Sequence, residues 1–171
     1  DREEALKDAD FVTTQLRVGF LDARINDEKI PLKYGVLGQE TTGPGGFMKA
    51  QRTIPVLLDI CKDMERWCPN GWLINFTNPA GMVTEAVYRH TNFKRFIGVC
   101  NIPIGMKMFI RDVLALTDND DLSIDLFGLN HMVFIKDVIV NGKSRFAELL
   151  DGVASGRLTA ASVKNIFDLP F

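Results

Sequence analysis

The fold is indicated most directly by one stretch, Phe96-Ile97-Gly98-Val99-Cys100-Asn101-Ile102-Pro103, in which an apolar strand pattern passes straight into the start of a helix. The same order occurs upstream, where Trp72-Leu73-Ile74-Asn75-Phe76 is followed by Thr77-Asn78-Pro79-Ala80-Gly81 and a helical pattern to about residue 91. Continuous apolar strands that alternate with helices are typical of a parallel sheet covered on both faces. The sequence therefore predicts an α/β protein.

The neighbouring segments extend this pattern in both directions. Upstream we expect the end of a helix over 1–9, a strand over 11–16, a polar stretch to Leu37 and a helix over 47–67. Downstream we expect a helix over 103–116 and a further strand of the same sheet that ends at His131. Beyond it, Asn141-Gly142 is a turn signal that predicts a hairpin, and short helices are expected near 144–151 and 159–167. We place a domain boundary between residues 129 and 130.

Composition excludes several classes of protein. The chain has 171 residues, 46% of them hydrophobic, and a formal net charge of −2, so charge gives no reason to expect nucleic acid or an anionic membrane as the partner. No apolar run reaches the length of a membrane span. The three cysteines are odd in number and form no disulfide framework, which favours a reducing cytoplasm. We expect Cys61 and Cys68 to be buried.

Cys100 and His131 are the first candidates for chemistry, because each follows a predicted strand, where α/β proteins build their sites. A thiolate and an imidazole suit either a nucleophile with its base or a transition metal. A closed zinc site is not expected, since no other Cys or His is suitably placed, and an open site completed by substrate oxygens fits better. The structural alternative is a core cysteine and a histidine with a structural partner.

Polar residues in two other loops are further candidates. Asn78 can direct its amide toward a ligand crevice, or Thr77 or Asn78 can cap the helix that follows. The glycine-rich segment 38–46 can form a backbone cradle at a helix N-terminus, or a tight capped loop. Within it, a buried Glu40 needs a partner or a role. Arg17 and Arg24 are either phosphate clamps or solvated surface residues.

Together these segments resemble glycoside hydrolase family 4. The resemblance rests on five stretches, in order and spacing from about residue 10 to 135: residues 15–19, 38–46, 74–81, 98–103 and 128–131. The Cys-Asn-x-Pro form at Cys100–Pro103 is similar to the 6-phospho-β-glucosidase branch. The resemblance implies the second half of a Rossmann-like sheet, as in lactate and malate dehydrogenases, running into the start of an α+β catalytic domain.

The resemblance also implies an activity, with NAD and Mn²⁺ or another divalent metal as cofactors. Family members remove a hydride from carbon 3 of a 6-phosphoglycoside, eliminate the aglycone after proton removal at carbon 2, and return the hydride. The resemblance implies that Cys100 and His131 are metal ligands and that Arg24 and Asn78 bind the substrate. Gln15, Arg17 and Asn78 are the implied cofactor-binding residues. The implied catalytic residues are Glu40, which would tune the base, and Asn101, which stands where α-acting relatives hold an acid.

The implied partners are a small-molecule substrate, a phosphorylated disaccharide or β-glucoside, and further copies of the chain in a dimer or tetramer. Two expected features are absent from the sequence: a glycine-rich NAD loop and a tyrosine base downstream of His131, since the only tyrosines are Tyr34 and Tyr88. We therefore expect a piece of a larger enzyme that is inactive alone. The alternatives are another family 4 glycosidase (6-phospho-α-glucosidase or α-galactosidase type), a dehydrogenase of the lactate/malate type and a non-catalytic domain.

Overall fold

The parallel sheet predicted from the apolar strands is present in the structure, a computed structural model that describes residues 1–158. The chain divides after Cys100 into two units. The elements of the first unit are α1 (Arg2–Leu6), β1 (Phe11–Thr14), α2 (Phe20–Leu32), α3 (Gly43–Trp67), β2 (Trp72–Asn75), α4 (Ala80–His90) and β3 (Phe96–Gly98). Their strands lie in the order β1-β2-β3 and all run parallel.

The core of this unit lies between the sheet and the helices α3 and α4. Its fully buried side chains come from β2, β3 and both helices: Leu57, Met64, Leu73, Val83, Val87 and Phe96. Cys61 and Cys68 belong to the same core, which confirms that they are buried. Burial raises the pKa of the Cys61 thiol to about 12, so this sulfur is a protonated core atom at neutral pH.

The helix α2 was not predicted, and the polar stretch expected up to Leu37 is wrong. The apolar residues of α2 do not share one buried face: Leu21, Ile25 and Ile30 are all exposed. The helix is instead tied to α3 by the ion pair of Asp27 with Arg52. Periodicity cannot detect a helix that is held by an ion pair to a distant residue rather than by an apolar stripe.

The glycine-rich segment is a loop pressed between α2 and α3, and α3 begins at Gly43, four residues earlier than predicted. A Cβ atom at Gly38 would overlap the Glu28 backbone, and one at Gly46 would overlap the Thr41 carbonyl. These two glycines therefore permit a close approach of backbones that places residues 39–42, and Glu40 among them, against both helices.

We expect Gly46→Ala to lower the free energy of unfolding by about 1–3 kcal/mol, because the backbone must move to admit the methyl group. The matched control is Gly105→Ala, also in a helix, where a Cβ atom meets nothing within 4 Å. Alanine there should be neutral or raise stability by up to ~1 kcal/mol. Urea unfolding of both variants measures the difference, and equal stabilities would contradict the tight packing at Gly46.

The second unit begins at Asn101 and contains α5 (Ile102–Val113), β4 (Leu122–Leu129), β5 (Met132–Val140), β6 (Lys143–Ser144) and α6 (Phe146–Ala154). The strands form a separate antiparallel sheet in the order β4-β5-β6. The predicted turn at Asn141-Gly142 is confirmed, with both residues at positive φ, as a two-residue hairpin requires. The helix predicted near 159–167 lies outside the described residues.

The strand before His131 was expected in the parallel sheet, and this is wrong. β4 and β5 are joined by only Asn130 and His131, and a two-residue connection allows only antiparallel pairing, whereas parallel strands need a long crossover. The predicted boundary between 129 and 130 falls inside this hairpin, whereas the chain divides into its two units between Cys100 and Asn101. The assignment of the first part of the chain to a cofactor-binding domain and of the second to a catalytic domain stays a prediction.

None of the helices within residues 1–158 has the length and apolar character needed to cross a bilayer.

Candidate active site

Four predicted site residues follow strands that end at one edge of the parallel sheet. The register pairs Thr14 with Asn75 and Asn75 with Gly98, so the three strands end side by side. The loops that leave this edge carry Gln15 and Arg17 after β1, Asn78 after β2 and Cys100 after β3. In α/β proteins this edge is where ligands bind. The structure thus brings these four residues to one edge of the sheet.

A buried hydrogen-bond network ties the first two of these loops together. Asn75 has no exposed surface, and its Oδ1 accepts from the Thr14 hydroxyl at 2.9 Å and from the Thr77 N–H at 3.1 Å. Its Nδ2 donates to the Thr77 carbonyl oxygen at 3.0 Å. The Thr77 hydroxyl in turn accepts from the Leu16 N–H at 2.8 Å. The network fixes the backbone immediately before Asn78.

The capping alternative for this loop is mostly contradicted. Thr77 does not cap α4, because its hydroxyl is bonded to Leu16 across the sheet edge. The N-cap residue is Pro79, and the peptide bond between Asn78 and Pro79 is cis. The Asn78 Oδ1 accepts only a long hydrogen bond, 3.4 Å, from the Ala80 N–H. The amide of Asn78 therefore keeps hydrogen-bonding capacity for a ligand.

Glu40 has the partners that its burial requires, and they include both candidate arginines. Its Oε1 accepts from Arg17 Nη1 at 2.8 Å and from the Lys49 ammonium, while its Oε2 lies 3.5 Å from Arg24 Nη1. Arg24 also donates from Nε to Glu28 at 2.7 Å. Both arginines are therefore ion-paired while remaining partly exposed, and we call these five residues the Glu40 cluster.

The charge balance of the Glu40 cluster favours an anionic ligand. Three cations face two carboxylates, so one positive charge remains. The side chains of Arg17 and Arg24 are 35% and 39% exposed, whereas Lys49 is 5% exposed. The excess charge is thus presented to solvent by two guanidinium groups, which bind phosphate and carboxylate well.

Glu40 is ionised at neutral pH. Burial raises its pKa, but the hydrogen bond and charge of Lys49, together with the charges of Arg24 and Arg17, lower the pKa below its ordinary value. Because the folded-state pKa is the lower one, the ionised Glu40 stabilises the fold above its unfolded-state pKa. That contribution is lost as the pH falls through the folded-state pKa.

The other two candidates, Asn101 and His131, lie in the second unit. Asn101 is the N-cap residue of α5. His131 forms the β4–β5 turn with Asn130 and has a φ of +63°, a left-handed conformation that is uncommon outside glycine but less so for histidine than for most residues. A cavity of about 210 Å³ lies between the start of α5 and this hairpin, and it is lined by Ile102, Pro103, Leu126, Phe127, Gly128, Leu129, Asn130 and Val133.

The two predicted metal ligands, Cys100 and His131, belong to different units of the chain. Within residues 1–158, no group of three or more His, Cys, Asp or Glu side chains could hold a metal ion. Beside His131, however, the Asn130 Oδ1 is buried and has no hydrogen-bond partner, so an amide oxygen is available as a further donor. An amide oxygen is a donor that suits Mn²⁺, whereas imidazole and thiolate are donors typical of softer transition metals.

Sequence reasoning missed two residues that hold the site together, Lys49 and Asn75. Lys49 lies on the buried side of α3 with Gly46, Ala50 and Thr53, and a charged residue on that stripe is the signal that could have found it. Asn75 is a polar residue at the end of an otherwise apolar strand. In both cases the partner is far away in sequence, so the pattern can mark the residue but cannot name the partner.

The side chain of Tyr88 is fixed by a hydrogen bond to the backbone. Its hydroxyl donates to the Phe96 carbonyl oxygen at 2.8 Å, at the start of β3, the end opposite Cys100. The expectation that the catalytic base is not one of the tyrosines of this chain stays a prediction.

The parallel strands, their covering helices and the polar loops at one sheet edge define an α/β domain of the Rossmann-like class. The model of family 4 glycosyl hydrolases matches residues 1–116. The chain belongs to this family, which confirms the resemblance.

One relative and two solved structures are similar to this chain over 90% or more of its length. It is 81% identical over 171 residues to the 6-phospho-beta-glucosidase of Escherichia coli (strain K12), an alignment that covers 100% of this chain and 38% of the relative. The chain thus spans well under half of that relative. The 6-phospho-beta glucosidase of Thermotoga maritima, solved with manganese, NAD+ and glucose-6-phosphate, matches with a TM-score of 0.81 and 38% identity over 90% of this chain and 37% of that one.

The lactate dehydrogenase of Eimeria maxima matches with a TM-score of 0.60 at 18% identity, over 97% of this chain and 45% of that one. This likeness shows the fold alone. It confirms the predicted dehydrogenase-like sheet.

Proposed function

We propose that this chain carries part of the active site of a 6-phospho-β-glucosidase that depends on NAD and a divalent metal. The observation that carries the proposal is the Glu40 cluster, in which Arg17 and Arg24 present an excess positive charge beside the ligand-binding edge of the sheet. A sugar 6-phosphate is an anion of the kind that paired guanidinium groups bind. The 81% identity to the Escherichia coli enzyme supports the β-glucoside as the substrate.

The proposed roles follow the position of each residue. Arg24 and Asn78 bind the substrate, with Arg24 on its phosphate, and Gln15, Arg17 and Asn78 line the cofactor. Cys100 and His131 are the protein ligands of a metal that, when bound, supplies a Lewis acid for the sugar oxygens.

Two catalytic roles complete the proposal. Glu40 fixes the charge around the catalytic base, and Asn101 occupies the position of the leaving-group acid in α-acting relatives. An amide donates hydrogen bonds but no proton, so a β-acting enzyme would protonate its leaving group by another route. We further propose a cytoplasmic homo-oligomer.

The proposal is tested in a chimera in which this chain replaces the matching 38% of the Escherichia coli relative. We expect the chimera to cleave p-nitrophenyl β-glucoside 6-phosphate, and not its α-anomer, and to require NAD⁺ and Mn²⁺. Since the hydride is returned, no NADH should accumulate, whereas a lactate/malate-type dehydrogenase would accumulate it. The unmodified relative is the control.

Two outcomes would contradict the proposal: cleavage that continues after removal of NAD⁺ and metal, or preference for the α-anomer. The 171-residue chain alone should show no turnover under the same conditions.

A further inference from the structure

Lys49 is an unusual residue for the inside of a protein. It lies on the buried side of α3 with its side chain only 5% exposed, and its ammonium donates to Glu40 Oε1. Lysine is almost never buried to this degree unless it is paired. Nothing in the proposed function assigns a role to it, and it is too deeply buried to reach a ligand at the surface.

The charged groups around Lys49 show which of them its ammonium can bind. Glu40, in the loop before α3, faces it directly, with Arg17 from the loop after β1 and Arg24 from α2 on the same carboxylate. Glu28 of α2 is bonded to Arg24 and not to Lys49. The nearby Asp27–Arg52 pair is neutral as a whole and joins α2 to α3. Among these groups, only Glu40 is paired with Lys49.

We propose that Lys49 is a positioning residue of the candidate active site, whose buried ammonium holds the Glu40 carboxylate and, through it, orients Arg17 and Arg24. The inference rests on the proposed function insofar as the two arginines bind anionic ligands. The two oxygens of the Glu40 carboxylate have different partners: Oε1 accepts from both Lys49 and Arg17, and Oε2 faces Arg24. One carboxylate therefore sets the position of both exposed guanidinium groups.

Removing the ammonium has a definite electrostatic consequence. Burial raises the pKa of Glu40, and Lys49 offsets this through both a hydrogen bond and its charge. Without Lys49, only the charges of Arg17 and Arg24 remain to offset burial, so Glu40 binds a proton at higher pH. A protonated Glu40 no longer attracts the two guanidinium groups, and their orientation is lost.

The test is the titration of the Glu40 carboxyl carbon by NMR in the wild-type chain and in Lys49→Met, a variant of similar length without charge. We expect a higher midpoint in Lys49→Met. The matched control is Lys62→Met, on the same helix, where the lysine is 66% exposed and its Asp59 partner is 3.4 Å away. The control should leave the Glu40 midpoint unchanged. An unchanged midpoint in Lys49→Met would overturn the proposal.

A second variant covers the case in which Lys49→Met does not fold. Burial lowers the pKa of Lys49, and Glu40 partly offsets this. Glu40→Gln should therefore lower the pKa of Lys49 further, and an unchanged value would sink the pairing. Lys49→Arg, which keeps the charge, should keep the Glu40 midpoint closer to that of the wild type than methionine does.

The functional readout uses the chimera. Lys49→Met should raise KM for the 6-phospho-β-glucoside about tenfold, equivalent to ~1.4 kcal/mol of binding, and the increase should grow as the pH falls. A KM that is unchanged across the pH range would overturn the orienting role. The carboxyl titration needs no substrate, so it tests Lys49 even if the chimera fails to cleave the glycoside, a result that would count against the proposed function alone.

Discussion

Replacing His131 by asparagine in the chimera should lower kcat/KM for the 6-phospho-β-glucoside by about 10³-fold, the equivalent of ~4 kcal/mol of lost Lewis-acid stabilisation. The imidazole is one of only two proposed protein ligands, so its loss leaves a weak site. The Mn²⁺ concentration for half-maximal activity should rise by about 100-fold or more, since the loss of an outer partner alone costs 10–100-fold.

Asparagine is chosen because it preserves the turn. His131 has a φ of +63°, and asparagine adopts this left-handed conformation more readily than most residues. The hairpin should therefore remain, and a loss of activity reports on the imidazole rather than on folding. Cys100→Ser is the companion variant, and it should also lower kcat/KM and raise the Mn²⁺ concentration for half-maximal activity.

The chain offers a matched control in its other histidine. His90 ends α4 and is exposed, so His90→Asn should leave both kcat/KM and the Mn²⁺ dependence unchanged. Activity and Mn²⁺ dependence are measured by release of p-nitrophenol, and metal binding by electron paramagnetic resonance of free Mn²⁺. Because an asparagine amide oxygen can itself bind Mn²⁺, wild-type Mn²⁺ affinity in both His131→Asn and His131→Gly would refute the assignment of this residue as a ligand.

The parallel half of the fold could be predicted because the segments that form β2 and β3 read as continuous apolar runs, even though each strand keeps exposed or half-buried residues. The ends of β2 and β3 fall where the runs stop, and so Asn78 and Cys100 could be placed at the sheet edge from sequence alone. The same signal failed for β4. An apolar run does not say whether its neighbour is parallel or antiparallel, and the turn Asn130-His131 contains no glycine to mark it.

The charged part of the site was only half predictable. A buried Glu40 in a glycine-rich loop implies a partner, but its partners come from three separate segments: Arg17 after β1, Arg24 on α2 and Lys49 on α3. Ion pairs leave no periodic trace in sequence, and α2, which carries Arg24, has no apolar stripe either. Pattern reasoning therefore identified the residues at the strand ends and missed the helix and the lysine that hold them.

Asn75 gives the second large effect, on stability. Asn75→Leu keeps the number and branching of the side-chain heavy atoms but removes every hydrogen bond that the amide makes. The Thr14 hydroxyl and the N–H and carbonyl of Thr77 would be left buried without partners. Each such group costs about 1–3 kcal/mol, so we expect the free energy of unfolding of the chain to fall by ~3 kcal/mol or more. Urea unfolding followed by circular dichroism measures it.

A control variant and an activity measurement separate the effect of Asn75→Leu on stability from its effect on the position of Asn78. Asn26→Leu, at an exposed site on α2, should change stability by no more than about 0.5 kcal/mol. In the chimera, at a temperature where the variant is folded, Asn75→Leu should raise KM for NAD⁺, because Thr77 no longer fixes the backbone that precedes Asn78. A variant that loses less than about 1 kcal/mol would show that the buried groups find other partners, and that the network is not what holds this edge of the sheet.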